Sequence, residues 1–585
     1  MRKVIIICLL LVFLFSLKAF SLEIENPQTV DYVKLQIVQY GNITFSSKPS
    51  EVWINLSIPQ ESSYLQIESL TANYQFQYGY DYLGNKIITI HIKDPDEVVN
   101  YKIVENLIVR RSNCDKLSDS KWTKPTELAI STDPLIKEKA EQLTLGISDD
   151  FSKIYELAKW THENIEYSES YKDVNLNARD VFLNKKGTCD EYSILLLSFA
   201  RALGYPSAII SGYAYGSINK GGLQDFQPHS WVQIGDTGCW DPTWAEGGFI
   251  DALHIPFGKY EDTRWVDVAV SFKAKENITA KISPMNVEIK ILDYKKSSIT
   301  SLESELLENS LNKGFAVIKN KIASNSCIMT KIKSVSCAIN EKSLLENIRN
   351  EGIVKVCGKE TYFFSIFKIP DNLETNKFEY TCPILTVSYT GNENKNFLEI
   401  KSGAKYENAF INVNKNTAIL GENIIVSAPG QFIFTDLGDY GTNSLNILSP
   451  SHDFKIWAYK NGGLAEVNIS VVKYKPLDVE IILLNNTVKL GETINFKVKI
   501  TNKLSTPQNV IVEFNNIKKS KTIDNLDYFD FNFTPSSIED RIIQIKVSTS
   551  NYVTTSVNSI NVIEEKNWLK EIIDAIIAFF KKIFG

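Results

Sequence analysis

The stretch Gly187-Thr188-Cys189-Asp190-Glu191-Tyr192 decides the interpretation of this chain, because it places a cysteine at the predicted start of a helix. A strongly apolar run, 194–203, follows it and stops at a glycine. Thr188 followed three residues later by Glu191 is the capping-box pattern, which predicts Thr188 as N-cap and Cys189 as the first helical residue. The positive end of the helix dipole at that position favours a thiolate.

Two later blocks supply the groups that a thiol nucleophile needs. His229 lies in Pro228-His229-Ser230-Trp231, and Asp241 lies in Cys239-Trp240-Asp241-Pro242-Thr243. An imidazole can take the thiol proton and return it to a leaving amine, while a carboxylate holds the imidazole by its other ring nitrogen. The sequence therefore predicts a Cys-His-Asp site at Cys189, His229 and Asp241, in which the helix start and the imidazolium lower the thiol pKa.

Strand geometry restricts this assignment. Residues 230–234 and 239–243 are predicted as two short strands around Gly235-Asp236-Thr237-Gly238. Because side chains alternate along a strand, His229 and Asp241 share a face only if paired positions have an even sum. This requires a loop of odd length or a bulge, which Gly238 could supply. A regular four-residue loop would direct the two side chains to opposite faces.

Taken together, these blocks resemble the transglutaminase-like superfamily, whose fold is related to papain. The resemblance runs from about 149 to 248 and includes Trp160-Thr161-His162-Glu163-Asn164, Ala178-Arg179-Asp180-Val181-Phe182 and Arg201-Ala202-Leu203-Gly204-Tyr205-Pro206, besides the three blocks above. It implies that Cys189 is the nucleophile, His229 the base and Asp241 the orienting acid, with the backbone N–H of Cys189 as a candidate oxyanion donor. Considered singly, each residue also has a structural interpretation: a core thiol, a surface histidine and a turn residue.

The remaining histidines do not indicate a metal or a cofactor. His162 lies on a charged helix face and is interpreted as structural, and His91, His254 and His452 lack the spacing of metal ligands. We therefore expect no metal and no cofactor.

Composition indicates a multidomain globular protein. The chain has 585 residues, of which 44% are hydrophobic and 23% charged. A net charge of −6 without a basic run argues against a nucleic-acid partner. The expected partner is a protein or peptide substrate, and the sequence does not indicate an oligomeric state.

Residues 1–21 are predicted to be an export signal. Positive Met1-Arg2-Lys3 precedes an apolar stretch, 4–17, and the small-x-small site Ala19-Phe20-Ser21. Cleavage after Ser21 would release the protein outside the cell or into the cell envelope, and retention as a signal anchor is the alternative.

The cysteines are consistent with export. Removing Cys8 with the signal and leaving Cys189 free gives six cysteines, an even number. Their spacing suggests the pairs Cys327 with Cys337, Cys357 with Cys382 and Cys114 with Cys239, although six cysteines allow 15 pairings. Six reduced, buried thiols are the alternative.

The predicted fold class is a multidomain α+β chain in which a papain/transglutaminase-like core is flanked by an N-terminal β-sandwich and by C-terminal immunoglobulin-like sandwiches. Helical patterns at 300–311 and 341–350 suggest a mixed α+β unit of unknown role between the core and those sandwiches. The segment 416–424 recurs 70 residues later at 486–494, which indicates two tandem modules. The predicted domains after the signal are 22–125, 126–270, 271–402, 403–475 and 476–563, and a terminal segment, 564–585.

The terminal segment 564–585 is predicted to be an amphipathic helix. Its wide apolar face includes Trp568, Ile572 and Ile576, while lysines and acids such as Lys570 and Asp574 occupy the other face. Such a face suits contact with a membrane surface, and docking on protein is the alternative.

Two hypotheses of different class follow. The preferred one is an exported thiol enzyme that performs acyl transfer through a Cys189 thioester, either peptide hydrolysis or glutamine-amine transfer. The other is a cell-envelope scaffold or binding protein with a vestigial transglutaminase-like domain.

Overall fold

The computed structural model describes Ile24 and residues 26–172, 174–216, 225–308, 313–339, 342–371, 373, 379–400, 406–472, 477–503, 507–549 and 553–563. The predicted export signal, 1–21, and the predicted terminal helix, 564–585, lie outside these ranges. Within them, no helix is long and apolar enough to cross a membrane.

The N-terminal region is a sandwich of two antiparallel sheets, as predicted from its alternating apolar residues. One sheet contains Val30–Phe45, Leu65–Ala72, Val98–Arg110, Ala280–Ile282 and Asn286–Lys296, and the other contains Glu51–Ser57, Phe76–Tyr80, Lys86–Lys93 and Val268–Lys273. Short 3-10 turns occur at Pro27–Thr29 and Ser120–Thr123.

The chain thus returns to the sandwich after completing the core. The predicted boundary between residues 270 and 271 falls inside the strand Val268–Lys273, which pairs with Glu51–Ser57. Sequence order concealed this return, because one edge of each sheet is supplied by residues beyond 267.

The core combines four helices with an antiparallel sheet. The helices are Pro134–Leu143, Asp150–Asn164, Ala178–Asn184 and Cys189–Ala202, with a 3-10 turn at Glu169–Tyr171 and a short parallel pair, Glu166–Tyr167 and Lys186–Gly187. The sheet runs in the order His254–Tyr260, Ser207–Gly216, Asp225–Ile234, Gly238–Asp241 and Glu246–Gly247. The helix Cys189–Ala202 is buried along almost its whole length, so its apolar sequence reflects a central position against this sheet.

The region after the sandwich is all strand where it is described, so the α+β prediction for 271–402 is wrong. Its strands are Thr300–Leu306, Phe315–Ser324, Cys327–Ser336, Ala338–Ile339, Lys342–Ser343, Glu346–Arg349, Glu351–Cys357, Thr361–Lys368, Tyr380–Ser388 and Glu393–Ile400. The predicted helix 300–311 contains the strand Thr300–Leu306, whose alternating burial fits period 2, and the predicted helix 341–350 contains two short strands. Pairing with Phe315–Ser324 overrides the helical propensity of glutamate and leucine.

The core sheet continues into this region. Gly247 pairs with Met329, which joins the core sheet to Cys327–Ser336, Tyr380–Ser388 and Glu393–Ile400. Met329 and Ile353 are part of the hydrophobic core that the four helices cover. The core and the following region therefore share one sheet and one packed interior.

Two further β-units follow. The first contains Asn412–Val413, Thr417–Ile419, Asn423–Thr435, Tyr440–Leu448, Phe454–Lys460 and Gly463–Val472, and the second contains Leu477–Leu483, Thr487–Lys489, Ile494–Asn502, Gln508–Phe514, Ile517–Ile523, Leu526–Phe533, Ile542–Ser548, Val553–Ser559 and Asn561–Ile563.

The sequence repeat has the same structure in both units. In the first unit, the short strand Thr417–Ile419 pairs in parallel with Gly463–Val472. In the second unit, the short strand Thr487–Lys489 pairs in parallel with Asn561–Ile563. Glu422 and Glu492 each accept a hydrogen bond from the backbone N–H three residues earlier, at 3.1 and 3.2 Å. Predicting two sandwich modules from the 70-residue repeat was therefore correct in fold.

The six cysteines other than Cys189 form three disulfides among the described residues. Cys114 pairs with Cys239 as suggested, but the other pairs are Cys327 with Cys357 and Cys337 with Cys382. The suggestion from spacing failed because Cys327 and Cys357 face each other across antiparallel strands, a register that distance along the chain does not reveal. Cys189 is free.

Candidate functional site

Cys189 is the first residue of its helix, as predicted. The Glu191 carboxylate accepts hydrogen bonds from the backbone N–H of Thr188 at 2.8 Å and from its hydroxyl at 2.9 Å. Gly187 allows this return of the Glu191 side chain, because a Cβ at position 187 would lie 2.1 Å from Glu191 Cβ. The backbone preceding Cys189 is thereby fixed.

His229 and Asp241 lie on one face of the sheet. Val232 pairs with Trp240 and Ile234 with Gly238, so paired positions have an even sum, and the loop between the strands has three residues. Gly238 adopts a φ of +92°, which favours glycine. The odd loop length that the sequence argument required is therefore present.

The two side chains are in direct contact. His229 Nε2 lies 2.9 Å from Asp241 Oδ2, and neither side chain is exposed to solvent. Because an ionised carboxylate only accepts hydrogen bonds, Nε2 carries the proton of this bond. Asp241 Oδ1 accepts the backbone N–H of Thr243 at 2.8 Å, which fixes the plane of the carboxylate.

Ser230 joins the helix start to the His229 strand. Its hydroxyl donates to Asp190 Oδ1 at 2.6 Å, and its carbonyl accepts the Ser193 hydroxyl at 2.9 Å. These bonds hold two residues at the start of the helix, just after Cys189, against the residue next to His229. His229 Nδ1 is buried and has no hydrogen-bond partner within the described part of the chain, so it is the ring atom left for proton exchange.

Trp244 restrains the imidazole. Its ring stacks on His229 with centroids 4.2 Å apart and an angle of 11° between planes. This face-to-face contact restricts rotation of the His229 ring about its Cβ–Cγ bond. It covers the face of the ring and leaves the edge, with both nitrogens, uncovered. A tryptophan face also stabilises a positively charged ring.

The thiol environment differs from the sequence prediction. Burial raises the pKa of the Cys189 thiol well above its ordinary value, and the Asp190 carboxyl raises it further, which outweighs the opposing backbone N–H of Ser230. Cys189 is 9% exposed. The predicted lowering of the thiol pKa is therefore wrong for the free protein, because the helix start is buried among acids rather than open to water.

Asp241 remains ionised despite its burial. Burial alone would raise the pKa of the Asp241 carboxyl, but His229 and then His254 lower it below its ordinary value. The site therefore combines a protonated thiol, an imidazole with one free nitrogen and a fixed carboxylate.

Sequence reasoning missed three buried groups behind this site. His254 Nε2 lies 3.5 Å from Asp241 Oδ2, and His254 Nδ1 lies 3.1 Å from Asp251 Oδ1. Glu246 Oε2 accepts the backbone N–H of Asp251 at 3.4 Å. The available signal was the occurrence of Asp251 and His254 inside the otherwise apolar segment 249–257.

Donor atoms of this network lie close enough together to be considered as metal ligands. Within each of two sets, His229, Asp241 and His254, and Glu246, Asp251 and His254, one atom per residue lies within 4.8 Å of the others. Direct contacts between imidazole and carboxylate already use His229 and His254 in these sets. The arrangement is therefore described by hydrogen bonds and ion pairs.

Of the other histidines, His162 contacts the residue that follows Asp241, and His91 and His452 lie outside the core. His162 is half-buried, and its Nδ1 lies 2.9 Å from the carbonyl oxygen of Pro242. His91 stacks on Trp53 and contacts Glu51 in the N-terminal sandwich. His452 lies in the first of the two C-terminal units.

A cysteine at a buried helix start, beside an antiparallel strand pair that carries a histidine and a carboxylate, is the arrangement of a thiol-enzyme fold. Residues 137–268 match the model of the transglutaminase-like superfamily. This part of the chain is a transglutaminase-like core, in agreement with the resemblance of its motifs.

Three known proteins illustrate the similarity. An uncharacterized protein of Mycobacterium leprae is 21% identical over 198 residues, which cover 30% of this chain and 69% of the relative. The crystal structure of a candidate cysteine protease from Cytophaga hutchinsonii has a TM-score of 0.34 and 15% identity, covering 46% of this chain and 93% of its own. The N-terminal four immunoglobulin domains of Dscam1 isoform 6.9 have a TM-score of 0.21 and 11% identity, covering 61% and 100%.

Proposed function

We propose that this protein is an exported thiol enzyme that performs acyl transfer through a thioester on Cys189. The observation that carries the proposal is the buried pair of His229 Nε2 and Asp241 Oδ2 at 2.9 Å, with His229 Nδ1 unpartnered and the adjacent Ser230 bonded to Asp190 of the Cys189 helix. A histidine held in one orientation by a buried carboxylate is the base that a protonated thiol requires.

The proposed reaction has two steps. The Cys189 sulfur attacks the carbonyl of a peptide bond or a glutamine side chain, as its proton passes to His229 Nδ1. The carbon–nitrogen bond breaks, and the amine or ammonia leaves with that proton. Water or an amine then attacks the thioester carbonyl, the carbon–sulfur bond breaks to release a carboxylic acid or an amide, and a proton of the attacking group passes through His229 to the Cys189 sulfur. The backbone N–H of Cys189 is the proposed donor to the oxyanion.

The raised thiol pKa favours this order of events. A thiol that stays protonated at rest needs a base at the moment of attack, and His229 is the group placed to serve as that base. The imidazolium that forms would be stabilised by Asp241 and by the stacked face of Trp244.

Export is supported by the cysteines. Three disulfides and one free thiol among the described residues suit an oxidising compartment. The proposed location is extracellular or in the cell envelope, where a protein or peptide would be the substrate. Hydrolysis is favoured over cross-linking because water is abundant in that setting.

One experiment separates the reactions. The mature protein would be incubated with casein or envelope peptides and a fluorescent primary amine, beside a Cys189→Ala variant. New peptide termini show hydrolysis, and amine incorporation shows glutamine-amine transfer. Either result must disappear in Cys189→Ala.

A scaffold or binding role is the second candidate, favoured by the observation that Cys189 is only 9% exposed. If neither product forms across a broad peptide mixture, and Cys189→Ala leaves the binding of envelope material unchanged, the scaffold role replaces the enzymatic one. The core would then use its fold without its thiol.

A further inference from the structure

Asp241 Oδ2 faces two imidazoles. His229 Nε2 lies 2.9 Å from it and His254 Nε2 lies 3.5 Å from it, while Asp241 Oδ1 is occupied by the backbone N–H of Thr243. His229 and His254 come from strands on opposite sides of Ser207–Gly216 in the sheet. The carboxylate is therefore held between them, with no solvent contact.

We infer that His254 is a positioning residue, which acts as an imidazolium bridging Asp251 and Asp241 and keeps Asp241 Oδ2 directed at His229. The inference rests on the proposed thiol chemistry of the same site and adds a fourth side chain to it. His254 does not touch Cys189 or the reacting atoms in this role.

The charge state of His254 follows from its neighbours. Each ring nitrogen faces a carboxylate oxygen, Nδ1 that of Asp251 and Nε2 that of Asp241. Nε2 forms no hydrogen bond with Asp241 at their 3.5 Å separation, so this contact is an ion pair. A neutral imidazole would direct one lone pair at a carboxylate, whereas an imidazolium presents an N–H to both. Although burial lowers the pKa of His254, Asp251 and Asp241 outweigh it and raise the pKa well above its ordinary value.

The surrounding charges balance this assignment. Burial and Asp251 raise the pKa of Glu246 well above its ordinary value, which favours the neutral form of this carboxyl. The Arg111 guanidinium, which is partly buried, interacts with Asp31, Asp251 and Glu246. If His254 were neutral, the buried carboxylates of Asp251 and Asp241 would face an uncharged ring, which is unfavourable in an interior without solvent.

Packing fixes the ring. His254 meets the faces of Trp231 and Trp244 edge-on, with centroids 5.1 and 5.4 Å away and angles of 81° and 71°. Asp251 Oδ1, which His254 Nδ1 contacts, also accepts the backbone N–H of Leu253 at 2.7 Å. These contacts restrict rotation of both the His254 ring and the Asp251 carboxylate.

The first test is nuclear magnetic resonance of the full mature protein with ¹⁵N-labelled histidine. The chain has five histidines, so single His→Gln variants assign every signal. We expect both His254 ring nitrogens to remain protonated at pH 8. A neutral His254 at pH 7 overturns the inference, and this readout needs no turnover, so it is independent of whether the protein performs acyl transfer.

The second test compares His254→Asn and His254→Gln with the control His91→Gln, an exposed histidine of the N-terminal sandwich. Asparagine can retain a donor towards Asp251 and glutamine a donor towards Asp241, but neither carries charge or bridges both. The measurement is the rate of Cys189 alkylation by iodoacetamide against pH, in samples whose near-ultraviolet circular dichroism shows native packing.

We expect both His254 variants to alkylate roughly tenfold to a hundredfold more slowly at pH 7, the range seen when the partners orienting a functional imidazole are removed. The half-maximal pH should rise, because the Asp241 carboxylate already raises the pKa of the Cys189 thiol and would lose the positive charge that offsets it. If the variants lower thermal stability but leave the rate and the half-maximal pH at the His91→Gln values, His254 is structural and the inference fails. If neither variant folds, the resonance experiment on the wild-type protein decides alone.

Discussion

At the scale of single residues, the site combines a buried thiol with an imidazole that a carboxylate holds in place. Burial and Asp190 keep the Cys189 thiol protonated, while Asp241 fixes the ring of His229. The free protein therefore does not stabilise the thiolate of Cys189. In the proposed mechanism, the free energy needed to form the thiolate is supplied only when the substrate carbonyl and the oxyanion donor are in place.

This balance predicts how alkylation depends on pH. Because the thiol pKa is raised, the thiolate fraction of Cys189 is smaller than that of a free thiol at every pH below the raised value. Iodoacetamide should therefore label Cys189 more slowly than the same thiol in unfolded protein at pH 6 to 8, and the rate should rise steadily into the alkaline range. Mass spectrometry after brief labelling measures the rate.

The same experiment on His229→Ala tests the base. Removing it should slow labelling of folded Cys189 by about 10²-fold or more, the usual contribution of a general base. Unfolded wild-type protein is the control for intrinsic thiol reactivity. Rapid labelling of the native protein at pH 6 would instead support the lowered pKa of Cys189 that its position at the helix start predicts.

Sequence alone located the thiol, the imidazole and the carboxylate, because each lies in a local motif of strong pattern. Register could not be decided until the three-residue loop put His229 and Asp241 on one face. His254 was missed since its partner Asp241 is reached across two neighbouring strands, a juxtaposition with no trace along the chain. Local sequence patterns therefore identified the individual residues, whereas only the strand order of the sheet showed which of them are in contact.

At the scale of elements, the helix cap is the feature that positions the thiol. Glu191 turns back over Thr188 only because residue 187 has no side chain. The helix end has a simpler requirement: Gly204 adopts a φ of +87°, and a Cβ there would contact nothing. The two glycines therefore differ in why they are needed.

This difference gives a matched pair of variants. Gly187→Ala should lower the free energy of unfolding by about 3 kcal/mol, since it combines a backbone-level clash with loss of the cap. Gly204→Ala should cost about 1 kcal/mol from left-handed strain alone. Urea unfolding measures both values, and Cys189 alkylation in folded protein should change only for Gly187→Ala. Equal costs with unchanged alkylation would contradict the role of the cap.

Elements were predicted well where one pattern dominated. The helix at Cys189–Ala202 and the 70-residue repeat were recognised, but the strand Thr300–Leu306 was predicted as helix. Its serines, glutamates and leucines satisfy both periods over seven residues, and only a paired neighbour selects the strand.

At the scale of the whole molecule, the core is not separable at the predicted boundaries. Its sheet continues through Gly247 into the next region, and Val268–Lys273 completes the N-terminal sandwich. Tyr155 of a core helix also donates to the carbonyl of Ile353 at 3.2 Å. Cutting at 126 and 270 would expose these surfaces.

Fragments test this continuity. Residues 22–472, which keep the cluster of Phe364 with Phe434 and Trp457, should fold and keep Cys189 alkylation at the full-length rate, whereas residues 126–270 should lack near-ultraviolet circular dichroism and a cooperative thermal transition. The exposed apolar surfaces explain the expected loss. A soluble, cooperatively unfolding 126–270 fragment with normal thiol reactivity would refute the shared interior.

The segment 564–585 lies outside the described residues, and its role as an amphipathic helix at a membrane surface stays a prediction. Burying half its large apolar side chains in a membrane interface, at about 1.5 to 3 kcal/mol for each one fully buried, would offset the ordering of a short helix. Removing 564–585 should release mature protein from liposomes without altering Cys189 alkylation. Equal partitioning, with lower thermal stability of the truncated form, would indicate docking on protein instead.

The shared sheet also affects how such a protein can diversify. Asp241 pairs with Glu246, and the next residue, Gly247, pairs with Met329 of the following region. An exchange of that region by recombination would have to preserve a backbone ladder that begins at Asp241. The two C-terminal units have hydrophobic cores of their own, but Phe434 and Trp457 of the first unit pack in one cluster with Phe364 of the preceding region. Their 70-residue repeat fits descent by tandem duplication, and any added copy would have to leave that contact in place.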